Sequence, residues 1–367
     1  MPVQTRSERF ASPVHSEHPE VTGREAVWKF SPVEKLRELI DGQLDGAPYP
    51  IESNEAAGTT VEWISRDSSL LGGAGTPEER SSANAWTNVS QALHIHLEGE
   101  FAPLTVRRDG LGSTPRAGHI VITAARGARG MIVLDSVGDA KLTENIEVVL
   151  EADADVKLVT VHEWADTALH LASLFARVGH GANFTHVLVS LGGGVVRVNP
   201  SVHLAEEGAG TELYGVYFAD AGQHLEHQVY VNHDAPFSRS RVTYKGALNG
   251  EGARTVWIGD VLIGREARAA DTYEENRNLV LSDGTRADSI PNLEIETGDI
   301  AGAGHASATG RFDDEQLFYL QARGIPEDEA RRLVVLGFLV EVVQKIGEPV
   351  LEARLMEALE AELTAAR

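Results

Sequence analysis

From about residue 90 to residue 300, apolar and polar residues alternate in short runs and not in helical periods. Segments such as IEVVLEADADVKLVTV and ANFTHVLVSLGGGVVRVNPSVHL are rich in β-branched residues and are interrupted by Gly, Asn and Asp. This pattern predicts strands in series, separated by turns. Only residues 166–181 have a moderate helical pattern within this region, and the pattern alone leaves open whether they form a helix or further strands.

A small-residue turn followed by an alternating strand recurs along this region, beginning at Asp153, Gly181 and Gly208, with offsets of 28 and 27 residues. A period of this size without interleaved helices is typical of a β-solenoid, in which each coil buries its inward face on the coils above and below. The spacing favours a solenoid over a β-sandwich, which also consists of strands separated by turns.

Helical patterns flank the strand region. Before it, SPVEKLRELIDGQLDG spaces its apolar residues at helical intervals, with Ser31 in the N-cap position. After it, DDEQLFYLQARG places Asp313 at an N-cap and Gly324 at a C-cap. A second helix begins at Pro326, and its apolar residues cover more than one stripe, so it needs partners on more than one side. A third helix, EPVLEARLMEALEAELTAA, ends the sequence. The pattern leaves open whether these helices only pack on the strand region or also dock another protein.

These patterns divide the chain into four predicted regions. Residues 1–22 hold little that folding can bury, and we predict a disordered tail there. Residues 23–90 form an N-terminal helical region, residues 91–304 a mainly β core, and residues 305–367 a C-terminal helical region.

Charge and cysteine content exclude several classes of function. The 367 residues include 32 basic and 55 acidic side chains, a net charge of −23, so a nucleic acid backbone would be repelled. The absence of cysteine excludes disulfides, thiolate metal sites and a cysteine nucleophile on this chain. Neither a signal peptide nor a membrane-spanning apolar run is present, which predicts a cytoplasmic protein without membrane contact.

Two groups of histidines have spacings compatible with metal binding. His94, His96 and Glu100 have the H-x-H-x3-E spacing of some double-stranded β-barrels, so a cupin-like metalloprotein is one alternative. In GQHLEHQVYVNHDAP, alternation puts His227 and His233 on one face of a strand and His224 on the other. No carboxylate follows at ligand spacing, which favours hydrogen-bonded sheet residues for this second group. Neither a phosphate-binding loop nor a G-x-S-x-G elbow is present, and nothing in the sequence demands catalysis.

Four stretches together resemble the SufB/SufD family of the SUF iron–sulfur cluster assembly system, and within it the SufD branch. They are GREAVWKFSPVEKL, HLEHQVYVNHDAPFSRSRVTYKGALNGEGARTVWIGDVLI, DTYEENRNLVLSDGTRADSIPNLEIETGDI and HASATGRFDDEQLFYLQARGI. The resemblance covers about residues 23–346 and implies a right-handed parallel β-helix flanked by N-terminal and C-terminal helical regions.

The resemblance also implies a function. Such a chain is a non-catalytic scaffold that pairs with SufB through the edge of its β-helix and binds the SufC ATPase, where ATP is hydrolysed, through its C-terminal helices. A nascent iron–sulfur cluster or iron is shared transiently with SufB, and the SufD branch is linked to iron entry. Some members are associated with reduced flavin, and a homodimer is a possible state without SufB.

By the same resemblance, His305 is the iron or nascent-cluster ligand at the SufB interface, and Phe318, Tyr319 and Arg323 lie on the helix that docks SufC. Many relatives carry a cysteine two residues before this histidine, where the present chain has Ala303, so no thiol contributes here. A second alternative is a β-solenoid enzyme acting on acidic polysaccharide, but it predicts a basic groove and secretion, which the charge of −23 and the missing signal peptide disfavour.

Overall fold

The computed structural model describes residues 9–311 and 314–365. The helices are α1 (Val33–Asp41), α2 (Arg80–Asn88), α3 (Asp314–Gln321), α4 (Glu327–Val343) and α5 (Pro349–Ala365), with a short 3₁₀ turn at His15–Glu17. The strands are β1 (Glu52–Ser53), β2 (Thr59–Ser65), β3 (Gln91–Leu97), β4 (Leu104–Asp109), β5 (Gly112–Ala124), β6 (Arg129–Gly138), β7 (Ala140–Leu150), β8 (Asp155–Trp164), β9 (Leu169–Val178), β10 (Asn183–Ser190), β11 (Val195–Leu204), β12 (Gly210–Ala219), β13 (His224–His233), β14 (Arg239–Leu248), β15 (Arg254–Ile263), β16 (Ala270–Val280), β17 (Arg286–Ile295) and β18 (Ile300–Arg311).

The strands form two nine-stranded sheets of a β-solenoid, which confirms the predicted fold. The even sheet contains β1, β4 and then every even-numbered strand from β6 to β18, and the odd sheet contains β2, β3 and every odd-numbered strand from β5 to β17. Only β1 and β2 pair with their neighbours in antiparallel fashion. Successive coils therefore stack through parallel pairing.

The register confirms the sequence repeat. Asp155 pairs with Asn183, and Asn183 pairs with Gly210, so equivalent positions in successive coils are 28 and 27 residues apart. The turns before these strands contain Asp153 at φ 62° and Gly181 at φ 62°, in the left-handed region that glycine and aspartate tolerate best. Residues 166–181 contain β9, so the open question about this segment is answered by a strand.

The solenoid interior is apolar in its first coils and becomes polar towards its last ones. One inward row shows the change, because register pairing stacks Leu104, Ile132, Leu158, His186, Leu213, Val242, Glu274 and His305 in that order. An apolar row stabilises a solenoid without directional contacts, whereas each buried polar group needs a partner.

Apart from β1 and β2, which pair within the two sheets, the N-terminal cover, residues 9–90, lies on the outer face of the odd sheet. Leu36, Leu39 and Ile40 on α1 are fully buried in a cluster that includes sheet residues such as Leu171. The sequence predicts Ser31 as the N-cap of α1, but the structure shows no such cap. The Ser31 hydroxyl instead donates to the carboxylate of Glu226 at 2.8 Å. A buried acceptor on the sheet therefore competes successfully with the helix end.

Residues 9–22 differ from the predicted disordered tail. The Ser12 amide donates to the Pro77 carbonyl at 2.9 Å, and the His18 ring bonds to the Ser12 carbonyl at 2.8 Å. The rings of Phe10 and His18 lie edge to face with centroids 5.1 Å apart. These contacts are mostly polar, which explains why a hydrophobic pattern does not reveal them. Residues 1–8 of the predicted tail lie outside the described residues.

The C-terminal cover, α3 to α5, lies mainly on the outer face of the even sheet. Leu339 and Val343 of α4 join a buried cluster with Val159, Val187 and Val216 of the sheet. Helix α4 also contacts α3 and α5, so it has partners on several sides, as its broad apolar surface predicts. The predicted N-cap residue of α3, Asp313, lies outside the described residues. In the described ranges, no helix has the length and hydropathy needed to cross a bilayer.

Candidate functional site at the open end of the solenoid

The last coil leaves two strands with an uncovered edge. Strands β17 and β18 end the two sheets, and each is hydrogen-bonded to a sheet neighbour on one side only. From residue 300 to residue 310, β18 has no Asp, Glu, Lys or Arg, whereas β17 contains Pro291 and the two acidic residues Asp288 and Glu294. Charged residues and proline are the usual protection against edge pairing, so β18 is the less protected of the two edges.

His305 lies in the middle of β18, and its side chain is 43% exposed. The strand continues to Arg311, so the boundary between strands and helices lies seven residues beyond the predicted position at residue 304. Ala303, two residues earlier, faces the same side of the strand by alternation and packs at the margin of the solenoid core.

Glu274 lies directly inside His305, at the paired position on β16. Its side chain is 1% exposed, and neither carboxylate oxygen has a hydrogen-bond partner in the described part of the chain. Its Oε1 lies 3.9 Å from Nδ1 of His305. Burial and the nearby charge of Asp260 raise the pKa of Glu274 to about 8.

Gly259 gives the Glu274 carboxylate its space. A Cβ atom at position 259 would come within 2.4 Å of Oε2 of Glu274 and within 2.3 Å of the Trp257 ring. The neighbouring Asp260 accepts a hydrogen bond from Asn292 at 2.8 Å, on the adjacent strand β17. The odd sheet thus faces the carboxyl group with a glycine, which leaves it room, and the only odd-sheet donor near it in the described residues is the backbone N–H of Asn292, which lowers the pKa of Glu274 less than burial raises it.

The interior beside this pair is also polar. The Tyr217 hydroxyl donates to Asn278 at 2.7 Å and accepts from Asn276 at 2.8 Å. At the open edge, Ser307 on β18 bonds to Ser289 on β17 at 2.9 Å. These groups have partners and resemble an ordinary buried network, unlike Glu274.

His305 and Glu274 supply one imidazole and one carboxylate, which suit a divalent metal of the first transition row. Within the described ranges, no group of three or more His, Asp or Glu side chains is placed to hold a metal ion. A cation at this end would therefore need ligands from water or from another molecule.

The contacts of His94, His96 and Glu100 do not support the alternative of a cupin-like metal site. Both rings bond to the hydroxyl of Thr123 at 2.9 Å, while the Glu100 side chain is exposed and its backbone forms an isolated β-bridge with Arg129. Pairing of β3 with β5 brings this hydroxyl between the two rings. The sequence has the H-x-H-x3-E spacing, but the Glu100 side chain does not lie close enough to His94 and His96 to share a metal ion with them.

The second histidine group is oriented as predicted. His227 and His233 face the solenoid interior, where His233 bonds to the Ser238 hydroxyl at 2.8 Å. His224 faces the other side and bonds to the Glu226 carboxylate at 2.9 Å. These contacts confirm the interpretation as hydrogen-bonded sheet residues. Burial lowers the pKa of His227 to about 3 and that of His233 to about 4, so both rings are neutral at pH 7.

Helix α3 exposes two of its three largest apolar side chains. Leu317 is 7% exposed, whereas Phe318 is 71% and Tyr319 is 56% exposed. The Arg323 guanidinium lies over the Tyr319 ring at 4.4 Å from its centroid. Phe318 and Tyr319 therefore contribute little to packing within this chain.

The fold defines a parallel β-solenoid protein with a cover on each sheet and an uncovered polar end. Residues 107–338 match the family described as SUF system FeS cluster assembly, SufBD core domain. An iron–sulfur cluster assembly SufBD family protein of Mycobacterium tuberculosis is 44% identical over 93% of this chain and 89% of its own length. One of Mycobacterium leprae is 43% identical over 93% and 90%, and one of Staphylococcus saprophyticus is 30% identical over 53% and 41%. The chain belongs to the SufBD family of the SUF iron–sulfur cluster assembly system.

Proposed function

We propose that this chain is a non-catalytic scaffold subunit of the SUF complex, of the SufD type. It pairs with SufB through the uncovered edge of its solenoid and binds the SufC ATPase through its C-terminal helices. Iron enters, and the nascent cluster forms, at the interface with SufB. Family membership supports a role in iron–sulfur cluster assembly and disfavours the polysaccharide-active alternative.

The observation that carries this proposal is the position of His305 on an edge strand that has no Asp, Glu, Lys or Arg from residue 300 to residue 310. An exposed strand edge presents unpaired backbone groups that another strand can extend, so a second solenoid can continue the sheet at β18. His305 would then lie at the junction. A homodimer formed without SufB would use the same edge.

Iron, as the cargo of this site, fits the residues present. The imidazole of His305 is an accepted iron ligand, and the unpartnered carboxylate of Glu274 lies behind it. Two groups from one chain leave room for ligands of the partner, which agrees with a transient site shared between two proteins. Reduced flavin in the complex and a cytoplasmic location stay predictions from the resemblance and the sequence.

The exposed face of α3 supports SufC docking. Exposed aromatic residues near an arginine are typical of the residues that carry binding energy in protein interfaces. Phe318 and Tyr319 on α3 combine these properties with Arg323 in the turn that follows the helix. Helix α3 connects to α4, whose contacts with the even sheet would link the docked ATPase to the solenoid.

Co-purification of the tagged chain with SufB and SufC tests this proposal. We expect a complex with wild type, and we expect His305→Ala to retain the complex but lose the anaerobic iron–sulfur absorbance. His180→Ala, which removes another exposed histidine, is the matched control and should behave as wild type. Recovery of neither partner would overturn the proposal.

A second variant tests the docking helix. Phe318→Ala combined with Tyr319→Ala should weaken SufC binding by about tenfold or more and leave SufB binding unchanged, because these side chains are exposed on α3. Val350→Ala removes a comparably exposed apolar residue of α5 and serves as the control. If wild type, the double variant and Val350→Ala recovered the same amount of SufC, Phe318 and Tyr319 would not be part of the docking surface.

A further inference from the structure

Glu274 is a buried polar residue without the partners that such residues normally have. It occupies an inward row in which the two preceding coils place Leu213 and Val242. An apolar side chain at position 274 would continue that row without an unpaired carboxyl group. Position 274 therefore carries a group that the solenoid itself does not need for packing.

The fold directs this carboxylate at His305. Parallel pairing of β16 with β18 places residues 274 and 305 side by side, and both belong to the same inward row. The 3.9 Å between Oε1 and Nδ1 is about 1 Å longer than a hydrogen bond, so the proposed bond requires the half-exposed His305 ring to move towards Glu274 by about that distance. Gly259 on the opposite sheet leaves the carboxylate free of steric contact on that side.

The ring nitrogens of His305 then have separate roles. A histidine that binds a metal through one nitrogen commonly donates its other N–H to a carboxylate, which fixes the tautomer and the ring orientation. In His305, Nδ1 faces Glu274. No hydrogen bond to Nε2 of this ring is present among the residues that the structure describes.

We propose that Glu274 is a positioning residue for His305: its carboxyl oxygen Oε1 accepts the Nδ1–H hydrogen bond and so presents Nε2 to a divalent cation at the open end of the solenoid. The cation class is a first-row divalent metal, for which Fe(II) is the natural cargo. This inference rests on the proposed function, which identifies His305 as the residue on the iron side.

A stability measurement separates this role from a structural one. Replacing a buried, unpaired carboxyl group with an apolar side chain of similar size is neutral or stabilising. We therefore expect Glu274→Met to keep or raise the urea midpoint of the full chain, at the same time as it lowers cation affinity. If Glu274 were needed only for folding, Glu274→Met would lower the urea midpoint. Cation binding would then be lost only because the protein unfolds.

Cation binding is measured on the isolated full chain by ¹⁵N-histidine NMR, with Zn(II) as a diamagnetic probe. The His305 signals are assigned by their loss in His305→Gln. In wild type we expect Zn(II) to shift Nε2 and to leave the proton on Nδ1. In Glu274→Met, the same shift should need about 10- to 100-fold more Zn(II), the usual effect of removing such a partner.

Glu275→Gln is the matched control, because Glu275 is the next residue on β16, faces outward and pairs with Arg277. It should leave the Zn(II) dependence of the His305 signals unchanged. Equal Zn(II) dependence in wild type and Glu274→Met, or binding through Nδ1, would overturn the inference. Co-purification with SufB and SufC tests the proposed function separately. Failure of the scaffold proposal can therefore be distinguished from failure of the role proposed for Glu274.

Discussion

The two covers of the solenoid attach by different chemistry. On the odd sheet, Arg197 is buried and donates to Glu79 of the N-terminal cover at 2.7 Å and to Glu226 of the sheet at 3.0 Å. Its guanidinium also lies over the ring of Trp28, 4.1 Å from the centroid. On the even sheet, the C-terminal cover buries Leu339 and its neighbours in an apolar cluster, and its ion pairs with the sheet each have one partner that is at least 36% exposed, Glu341 or Arg354.

This difference has a mechanical consequence. Separating the N-terminal cover would leave charged groups unpaired inside protein, so that cover is fixed in one register. Separating the C-terminal cover would chiefly expose apolar surface, and in its ion pairs with the sheet one partner, Glu341 or Arg354, is already partly exposed to water, so such a layer can shift along the sheet at lower cost. The cover that we propose to dock SufC is thus the one better suited to move.

The largest effect should come from breaking the buried ion pairs. Arg197→Met leaves Glu79 and Glu226 without their cation, and we expect the free energy of unfolding to fall by about 3–5 kcal/mol. Urea unfolding followed by tryptophan fluorescence measures it. Arg354→Met is the matched control on the other cover, since Arg354 is 36% exposed where it pairs with Glu163 and Asp135, and Asp135 keeps Arg107 as a second cation. In Arg354→Met, the free energy of unfolding should fall by about 1 kcal/mol or less. An equal fall in Arg197→Met and Arg354→Met would contradict the difference between the two covers.

The next effect should be confined to the C-terminal cover. Leu339 is fully buried between α4 and the even sheet, so Leu339→Ala should destabilise this layer by about 2–4 kcal/mol. Hydrogen exchange should show faster exchange in α4 and α5 and unchanged protection in the odd sheet. Equally faster exchange in α1 and α2 would show that the two covers unfold as one unit.

The smallest effect should be a difference in acid response. Burial opposes ionisation of Glu226, but the hydrogen bond from His224 and the charge of Arg197 lower its pKa from 4.5 to about 2. Between these two pH values, the unfolded chain takes up a proton that the folded chain does not. The stability contributed by Glu226 is therefore present above pH 4.5 and is lost as the pH falls to about 2, by about 1.4 kcal/mol per pH unit.

Urea midpoints at pH 5 and pH 3.5 measure this response. Glu226→Gln should flatten the loss of stability between the two pH values. Glu163, beneath the C-terminal cover, is the control of opposite sign, because burial outweighs the charge of Arg354 and raises its pKa. As the pH falls, Glu163 takes up its proton in the folded chain before it does so in the unfolded chain, which stabilises the folded chain. Glu163→Gln removes this contribution, so the urea midpoint should fall more steeply between pH 5 and pH 3.5. If Glu226→Gln and Glu163→Gln changed the pH dependence of the urea midpoint in the same direction, the opposite pKa shifts given to Glu226 and Glu163 would be contradicted.

The repeating part of the fold could be predicted because its signals are local. Each coil needs a left-handed turn residue followed by an alternating strand, and Asp153 and Gly181 mark those turns in the sequence. The contacts of residues 9–22 and the bond from Ser31 to Glu226 could not be predicted, since they depend on polar partners far along the chain.

At the open end, His305 was identified from the resemblance, and Glu274 was missed. The segment DTYEEN contains two adjacent carboxylates, and only the strand register decides which one faces inward. A slip of one residue exchanges the faces of a strand, so the sequence alone could not choose between Glu274 and Glu275. Alternation with Thr272 and Asn276 was the available signal, but it requires knowing that this face is the interior.

The long span of the hydrogen bond from Ser31 to Glu226 also constrains the order in which the protein can mature during synthesis. These residues are 195 positions apart, and Glu79 and Arg197 are 118 apart. The coils, in contrast, join partners about one period away and can stack as they leave the ribosome. The segment that is translated first must therefore wait, with its polar groups in water, until Glu226 has emerged. The beginning of the chain completes its contacts only after most of the solenoid has been made.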